Sequence, residues 1–300
     1  MSINFHFLDV GDGDCTIVDF PDRVVKEGGQ KKAERIMMID IHHHDDHAYY
    51  ENIINYFKEN FRNVYGVRSI FRYVMSHPHM DHMKGLDKLL DEIDVVNFWD
   101  VEHEFQPIKE GDRWELYKYD WQRYEQVRES ESDPKVLRYT DDSSPVQYWD
   151  EDRIEILSPS KELFDYVHKT DDGTKRTKEE IGALLNNLSY VLLLYVNDLK
   201  VLLPGDAEPR CWDYIIENHK EKIRDIDILK APHHGRESAF HEEAVKLMNP
   251  KHIIFSASDE CEYLVPEKYK KAAPNALQYN TAERGTIILE CGFDGEIKLA

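Results

Sequence analysis

Cysteine, long apolar runs and positive charge are all in short supply in this chain. The four cysteines, Cys15, Cys211, Cys261 and Cys291, are scattered with no CxxC pair. That disfavours a thiolate zinc site and fits a reduced, cytoplasmic protein. No apolar run approaches the roughly 20 residues of a membrane-spanning helix, so a soluble protein with no membrane partner is expected. The opening stretch MSINFHFLDVGDGD has no basic segment and meets acids at Asp9 and Asp12, which argues against a signal peptide. Lys and Arg number 38 against 59 Asp and Glu, a net charge of −21. Such a field repels phosphate backbones and works against autonomous nucleic-acid binding. Bound divalent cations or a basic protein partner would reverse the sign locally.

What is present is ample core material: 41% of the 300 residues are hydrophobic and 17 are Tyr. One domain over 1–300 is expected. Ile3–Val10 and Cys15–Phe20 read as strands around the turn Gly11–Asp14, and Arg35–Ile41 as a strand after a charged loop over Pro21–Lys32. Tyr49–Arg62 has helical periodicity, with Ile53, Ile54, Phe57 and Phe61 on one face. A strand at Ile70–Ser76 leads into His77, and a helix is expected from Asp81 or His82 through Ile93. The segment 102–152 is crowded with charge and aromatics and reads as an elaboration, with a helix near Leu116–Arg128. Its aromatic run Trp114–Tyr124 suits a lid, a stacking platform, a partner surface or plain packing. Strands return at Arg153–Leu157, Ser189–Val196, Lys200–Leu203, Ile226–Lys230, Ile253–Ser256 and Gly285–Glu290. Alternating strands and helices, with several hairpins, give a layered α/β arrangement of two mixed sheets.

The chemistry concentrates in His77-Pro78-His79-Met80-Asp81-His82, an HxHxDH run placed just after a strand. A tight loop there can turn His77 and His79 onto one ion and leave Asp81 and His82 for a second. Imidazole and carboxylate suit zinc, manganese or iron, and of these zinc is the first expectation and manganese the second. Two distant strand ends fit the same site. Leu202-Leu203-Pro204-Gly205-Asp206 presents a carboxylate, and Ile228-Leu229-Lys230-Ala231-Pro232-His233-His234-Gly235 delivers a histidine pair. The run His42-His43-His44 with His47 reads as a solvated polar loop, with substrate or an extra metal as the sharper alternative. Asp9, Asp12 and Asp14 read as loop-shaping residues.

With these motifs in order, the chain resembles the metallo-β-lactamase superfamily. The branch it is most similar to holds the C-terminal domain of DNA-uptake competence proteins and the phosphorylcholine esterases. Leu8-Asp9-Val10-Gly11-Asp12-Gly13-Asp14 is similar to that branch's opening, and Met38-Ile39-Asp40, the HPHMDH block, Asn186-Asn187-Leu188-Ser189, Leu203–Asp206 and Leu229–Gly235 follow. The resemblance implies a four-layer αββα sandwich with a polar and aromatic insertion near 102–152. It implies two divalent metal ions: His77 and His79 on the first, Asp81 and His82 on the second, Asp206 bridging, and His233 or His234 completing the second. A metal-bridging hydroxide would be the nucleophile, with Asp81 and Asp206 catalytic. Asn186 or Asn187 stands where many members carry a third histidine, and Val265 where the competence proteins carry one near substrate.

The function implied is a metal-dependent hydrolase cleaving phosphodiester bonds, a nuclease by the nearest resemblance. The alternatives are a phosphodiesterase or esterase for a small nucleotide or phosphorylcholine-like substrate, or an accessory subunit of a larger complex. Lys84, Lys230 and Arg236 are the cations expected near the scissile phosphate.

Overall fold

The computed structural model describes residues 2–27, 30–45 and 50–300. Two sheets dominate. The first has eight strands in the order Ile297–Leu299, Ile287–Gly292, Ser2–Phe7, Thr16–Glu27, Gln30–Ile39, Ser69–Val74, Asp94–Trp99 and Lys135–Leu137. The second has six, in the order Leu277–Asn280, His252–Phe255, Ile228–Lys230, Leu199–Leu203, Val191–Val196 and Ile154–Ser158.

The alternation of side chains along a strand explains the layering. In the strand ending at Ile39, Met37 and Ile39 join one core with Leu192, Leu194 and Val201 of the second sheet. Ile36 and Met38 join the other with Ile53, Phe57 and Leu86, all in or beside helices. Strands buried on both faces read as near-continuous apolar runs, as in Leu192-Leu193-Leu194. Helices flank the paired sheets in the αββα sandwich that the sequence led us to expect.

Parallel pairing sets up the site. Gln30–Ile39 and Ser69–Val74 are parallel neighbours, with Ile39 opposite Val74. Leu199–Leu203 and Ile228–Lys230 are parallel neighbours in the other sheet, with Leu202 opposite Leu229. The carboxyl ends of all four strands therefore emerge together, and Asp40, His77, Asp206 and His233 are on the segments that follow. The Tyr190 N–H donates to the Ser76 carbonyl at 2.9 Å and ties the two sheets at this edge.

Several local expectations change. The loop expected at Pro21–Lys32 is largely strand, up to Glu27 and again from Gln30. The helix expected from Tyr49 begins at Ile53, capped by Asn52, and passes into a π turn at Lys58–Arg62; Tyr49 lies outside the described residues. The helix expected from Asp81 starts only at Leu86. Before it come a 3-10 turn at Met80–His82 and a short strand, Met83–Lys84, paired with Ile41–His42. Gly85 makes the break: its φ is +92°, and a Cβ there would meet the His43 Cβ at 2.3 Å. In the 102–152 segment the helix runs Gly111–Arg128, Trp121, Tyr124 and Val127 share the core that holds Phe98, and Lys135–Leu137 extends the first sheet. No helix among the described residues is long and apolar enough to cross a membrane. All four cysteines are free.

Candidate metal centre

His77, His82, Asp206 and His234 are all buried at one edge of the sandwich, while Asp81 keeps 29% of its side chain exposed. One ligand atom each from Asp81, His82, Asp206 and His234 lies within 4.8 Å of the others. The Asp206 Oδ2 atom is central: it stands 3.1 Å from His82 Nε2, 3.6 Å from His233 Nε2, 3.9 Å from His234 Nε2 and 4.0 Å from His77 Nε2. His77 Nε2 and His79 Nδ1 face one another at 3.1 Å. Two ligands bonded to one zinc at about 2.0–2.1 Å stand roughly 3.3 Å apart, so this separation suits a shared ion.

The far nitrogen of each of these imidazoles is already committed. His79 Nε2 donates to the Gly182 carbonyl at 3.1 Å, and His234 Nδ1 to the Ser256 carbonyl at 2.9 Å. His82 Nδ1 donates to Asp40 Oδ2 at 2.8 Å. Ser76 Oγ donates to the same carboxylate at 2.6 Å and so accepts from His77 Nδ1 at 3.1 Å. These partners fix the tautomers and turn the remaining lone pairs inward, the arrangement that metal-binding histidines need. His234 Nε2 and Asp206 Oδ1 are buried and make no hydrogen bond. Such atoms are costly unless something else satisfies them. A divalent cation fits this donor set.

The electrostatics agree. Burial, then the neighbouring His82 and His79, push His77 well below its ordinary range, and burial also lowers His79, so both stay neutral. Burial alone would raise Asp81 and Asp206. The imidazoles of His234 and His82 nevertheless hold Asp81, and those of His82, His233 and His234 hold Asp206, well below the usual carboxylate range. Burial disfavours charge on His82, but Asp206 and Asp40 outweigh it and raise His82 well above 6.5. The same carboxylates favour a metal cation at Nε2 in place of a proton.

Of the adjoining histidines left open by the sequence, only His234 belongs to the four-atom group. His233 is 16% exposed, its Nδ1 3.1 Å from Ser238 Oγ and 3.6 Å from Glu208 Oε1. The two residues adopt left-handed φ values of 48° and 60°, and their ring planes lie at 61° to one another. Asn187 is spent locally, donating to the Leu184 carbonyl and accepting from Cys211 N–H. Asn186 instead faces the site, 3.2 Å from Glu208 and 3.4 Å from His233 Nδ1. Val265 caps a helix and donates its N–H to the Gly235 carbonyl.

The cations fare unequally. Lys230 is corrected: it is buried and ion-paired with Asp14, so its ammonium is not free for a phosphate. Lys84 is half-buried, and burial lowers its pKa despite Asp120 and Asp45. Arg236 is half-buried beside the Cys261 thiol and feels both Asp81 and Asp206. The histidine run is also corrected. His42 and His43 are buried and not solvated, because His42 pairs with Lys84 and the His43 N–H donates to the Lys84 carbonyl at 2.8 Å. Gly13 leaves room for the His42 ring, which a Cβ would meet at 2.0 Å. Burial, then Lys84, push His42 down to about 3. His44 is half-buried against the Val10 carbonyl, and His47 lies outside the described residues. Asp40, Ser76, Glu208, Ser256 and Ser189, whose Oγ accepts the Asp206 N–H at 3.2 Å, are contributors to which the sequence assigned no role, although Asp40 and Ser189 lie in motifs quoted for the resemblance.

The solved structures that resemble the chain include Igni18, a metallo hydrolase from the hyperthermophilic archaeon Ignicoccus hospitalis KIN4/I. It has a TM-score of 0.50 and 12% identity, covering 95% of this chain and 98% of that one. The beta-hydroxylase CmlA, known from Streptomyces venezuelae, matches as a mutant form at TM-score 0.46 and 10% identity, over 93% of this chain and 52% of that one. A diphosphatase of the PhnP family matches at TM-score 0.39 and 14% identity, over 89% and 80%. No curated protein matches the chain. The metallo-beta-lactamase superfamily matches residues 74–256, more than half of the 300 and the stretch from the strand before His77 to the carbonyl that holds His234. The chain belongs to the metallo-beta-lactamase superfamily.

Proposed function

We propose that the chain is a binuclear metal-dependent phosphodiesterase. The observation that carries this reading is the convergence of inward-facing, otherwise unsatisfied ligand atoms on Asp206 Oδ2. His77 and His79 would hold one divalent ion, Asp81, His82 and His234 the other, with Asp206 shared; zinc is the first candidate and manganese the second. Ions bound there supply Lewis acidity and lower the pKa of water. The chain's own contribution is to fix the ligands through Asp40, Ser76, Gly182 and Ser256, and to hold the ester. Asp81, the part-exposed carboxylate, would also orient the attacking water, and Arg236 would bind a phosphate oxygen. We read 1–300 as one domain, since the core around Phe98 incorporates Trp121 and Tyr124 of the 102–152 segment.

Between the two substrate scales, a small ester is favoured over a polynucleotide. Lys230 is neutralised by Asp14, so Arg236 and the half-buried Lys84 are left of the expected cations, in a chain of charge −21. An accessory subunit without catalysis is disfavoured by the complete ligand set. The test is hydrolysis of bis-p-nitrophenyl phosphate by metal-loaded protein, with Asp206→Ala as control. Turnover lost in Asp206→Ala supports the reading. Turnover that survives that substitution, or none in the loaded wild type, contradicts it.

A further inference from the structure

A cleft of about 650 Å³ opens beside His79, between the 102–128 segment and the helix Lys178–Leu184. Phe105, Trp114 and Tyr117 line it, each half-buried and packed by one side against a core. Gly182 lies at its base: a Cβ there would come within 3.1 Å of the Phe105 ring, while the Gly182 carbonyl holds His79. The Phe105 ring centre is 5.8 Å from that of His79. Exposed carboxylates of Glu110 and Glu179 complete the rim.

We infer that this cleft binds the non-reacting part of the ester, and that its occupant is a flat, nitrogen-bearing aromatic ring of the nucleobase class. The inference rests on the phosphodiesterase reading and extends it to the substrate. His79 belongs to both the ligand cluster and the cleft, so an ester at the metal ligands has the cleft as its neighbouring space. The three aromatic side chains of the lining favour stacking, and every base has a π face to offer. The two carboxylates accept hydrogen bonds from ring N–H and amino groups and repel phosphate. They therefore orient the ester with its base in the cleft and its phosphate toward Arg236. A small organic cation is the competing occupant for an aromatic cleft with acids. It fits less well, because Lys109 already sits over the Trp114 ring at 5.7 Å and Lys178 is on the lining. The volume, too, suits a base with its sugar, within the range of sites for small molecules of that size.

The test uses two p-nitrophenyl phosphodiesters that share the scissile bond, one with guanosine as its other ester group and one with methyl. Wild-type protein is expected to prefer the guanosine ester by about tenfold in kcat/KM, the scale of one base–aromatic stack. Trp114→Leu should remove that preference by raising KM for the guanosine ester toward that of the methyl ester, and Trp114→Phe should keep most of it. Glu179→Gln, at an exposed side chain, should weaken it and serves if Trp114→Leu fails to fold. Equal rates on the two esters, or a preference untouched by both substitutions, overturns the cleft assignment and leaves the hydrolase reading intact. If loaded protein cleaves neither ester, the hydrolase reading falls, and calorimetric binding of guanosine then decides the cleft. Binding weakened in Glu179→Gln supports the assignment, and no binding overturns it.

Discussion

At the scale of single residues, Asp40 and Lys230 show how a side chain's partner decides its role. Asp40 accepts from His82 Nδ1 and from Ser76, which in turn accepts from His77, so one buried carboxylate orients a ligand of each proposed ion site. Outer partners of this kind typically change metal affinity by about 10–100-fold. Asp40→Ala is therefore expected to weaken zinc binding by that order in a chelator competition; unchanged affinity would show that the ligands hold themselves. Lys230 is the opposite case. Breaking a buried ion pair by removing one partner costs about 3–5 kcal/mol. Lys230→Ala should lower unfolding stability on that scale in denaturant titration, whereas a lysine serving only substrate would leave stability unchanged. The sequence marked Asp40 only by its place at a strand end and did not show the Lys230 pair, because both roles depend on partners far away in the chain. By contrast, the HxHxDH run stood out because four donors fall within six residues.

At the scale of elements, parallel pairing explains why distant motifs meet. Asp206 and His234 could be assigned to one site from their positions after apolar strands, since parallel neighbours deliver their ends to the same edge. The choice of His234 over His233 was not legible, as it depends on successive left-handed residues and on the Ser256 carbonyl. The histidine run misled for a related reason: its burial follows from the Met83–Lys84 pairing and from bare space at Gly13 and Gly85, features no local pattern reveals. The helix Gly111–Arg128 is anchored by Trp121, a large side chain only 1% exposed. Trp121→Ala is expected to cost about 3–5 kcal/mol of stability in chemical denaturation. A loss below 1 kcal/mol would mean that the helix contributes little to that core.

At the scale of the whole molecule, the αββα layering was legible from the alternation of strands and helices and from motif order, and charge bears most on substrate size. A polynucleotide bound through several phosphates loses about a thousandfold or more in affinity between 50 and 200 mM salt. With Lys230 withdrawn and a net charge of −21, the expected substrate makes few such contacts. KM for a small phosphodiester should rise by less than about threefold over that interval. A steep rise, with cleavage of DNA or RNA at low salt, would restore the nuclease reading. Metal content tests the proposed two-ion centre most directly. Zinc per chain, measured by mass spectrometry after loading and desalting, should be about two in the wild type and in His233→Ala, and about one in His234→Ala. Loss of an ion from His233→Ala with both retained in His234→Ala would contradict the assignment, as would a wild type that binds none.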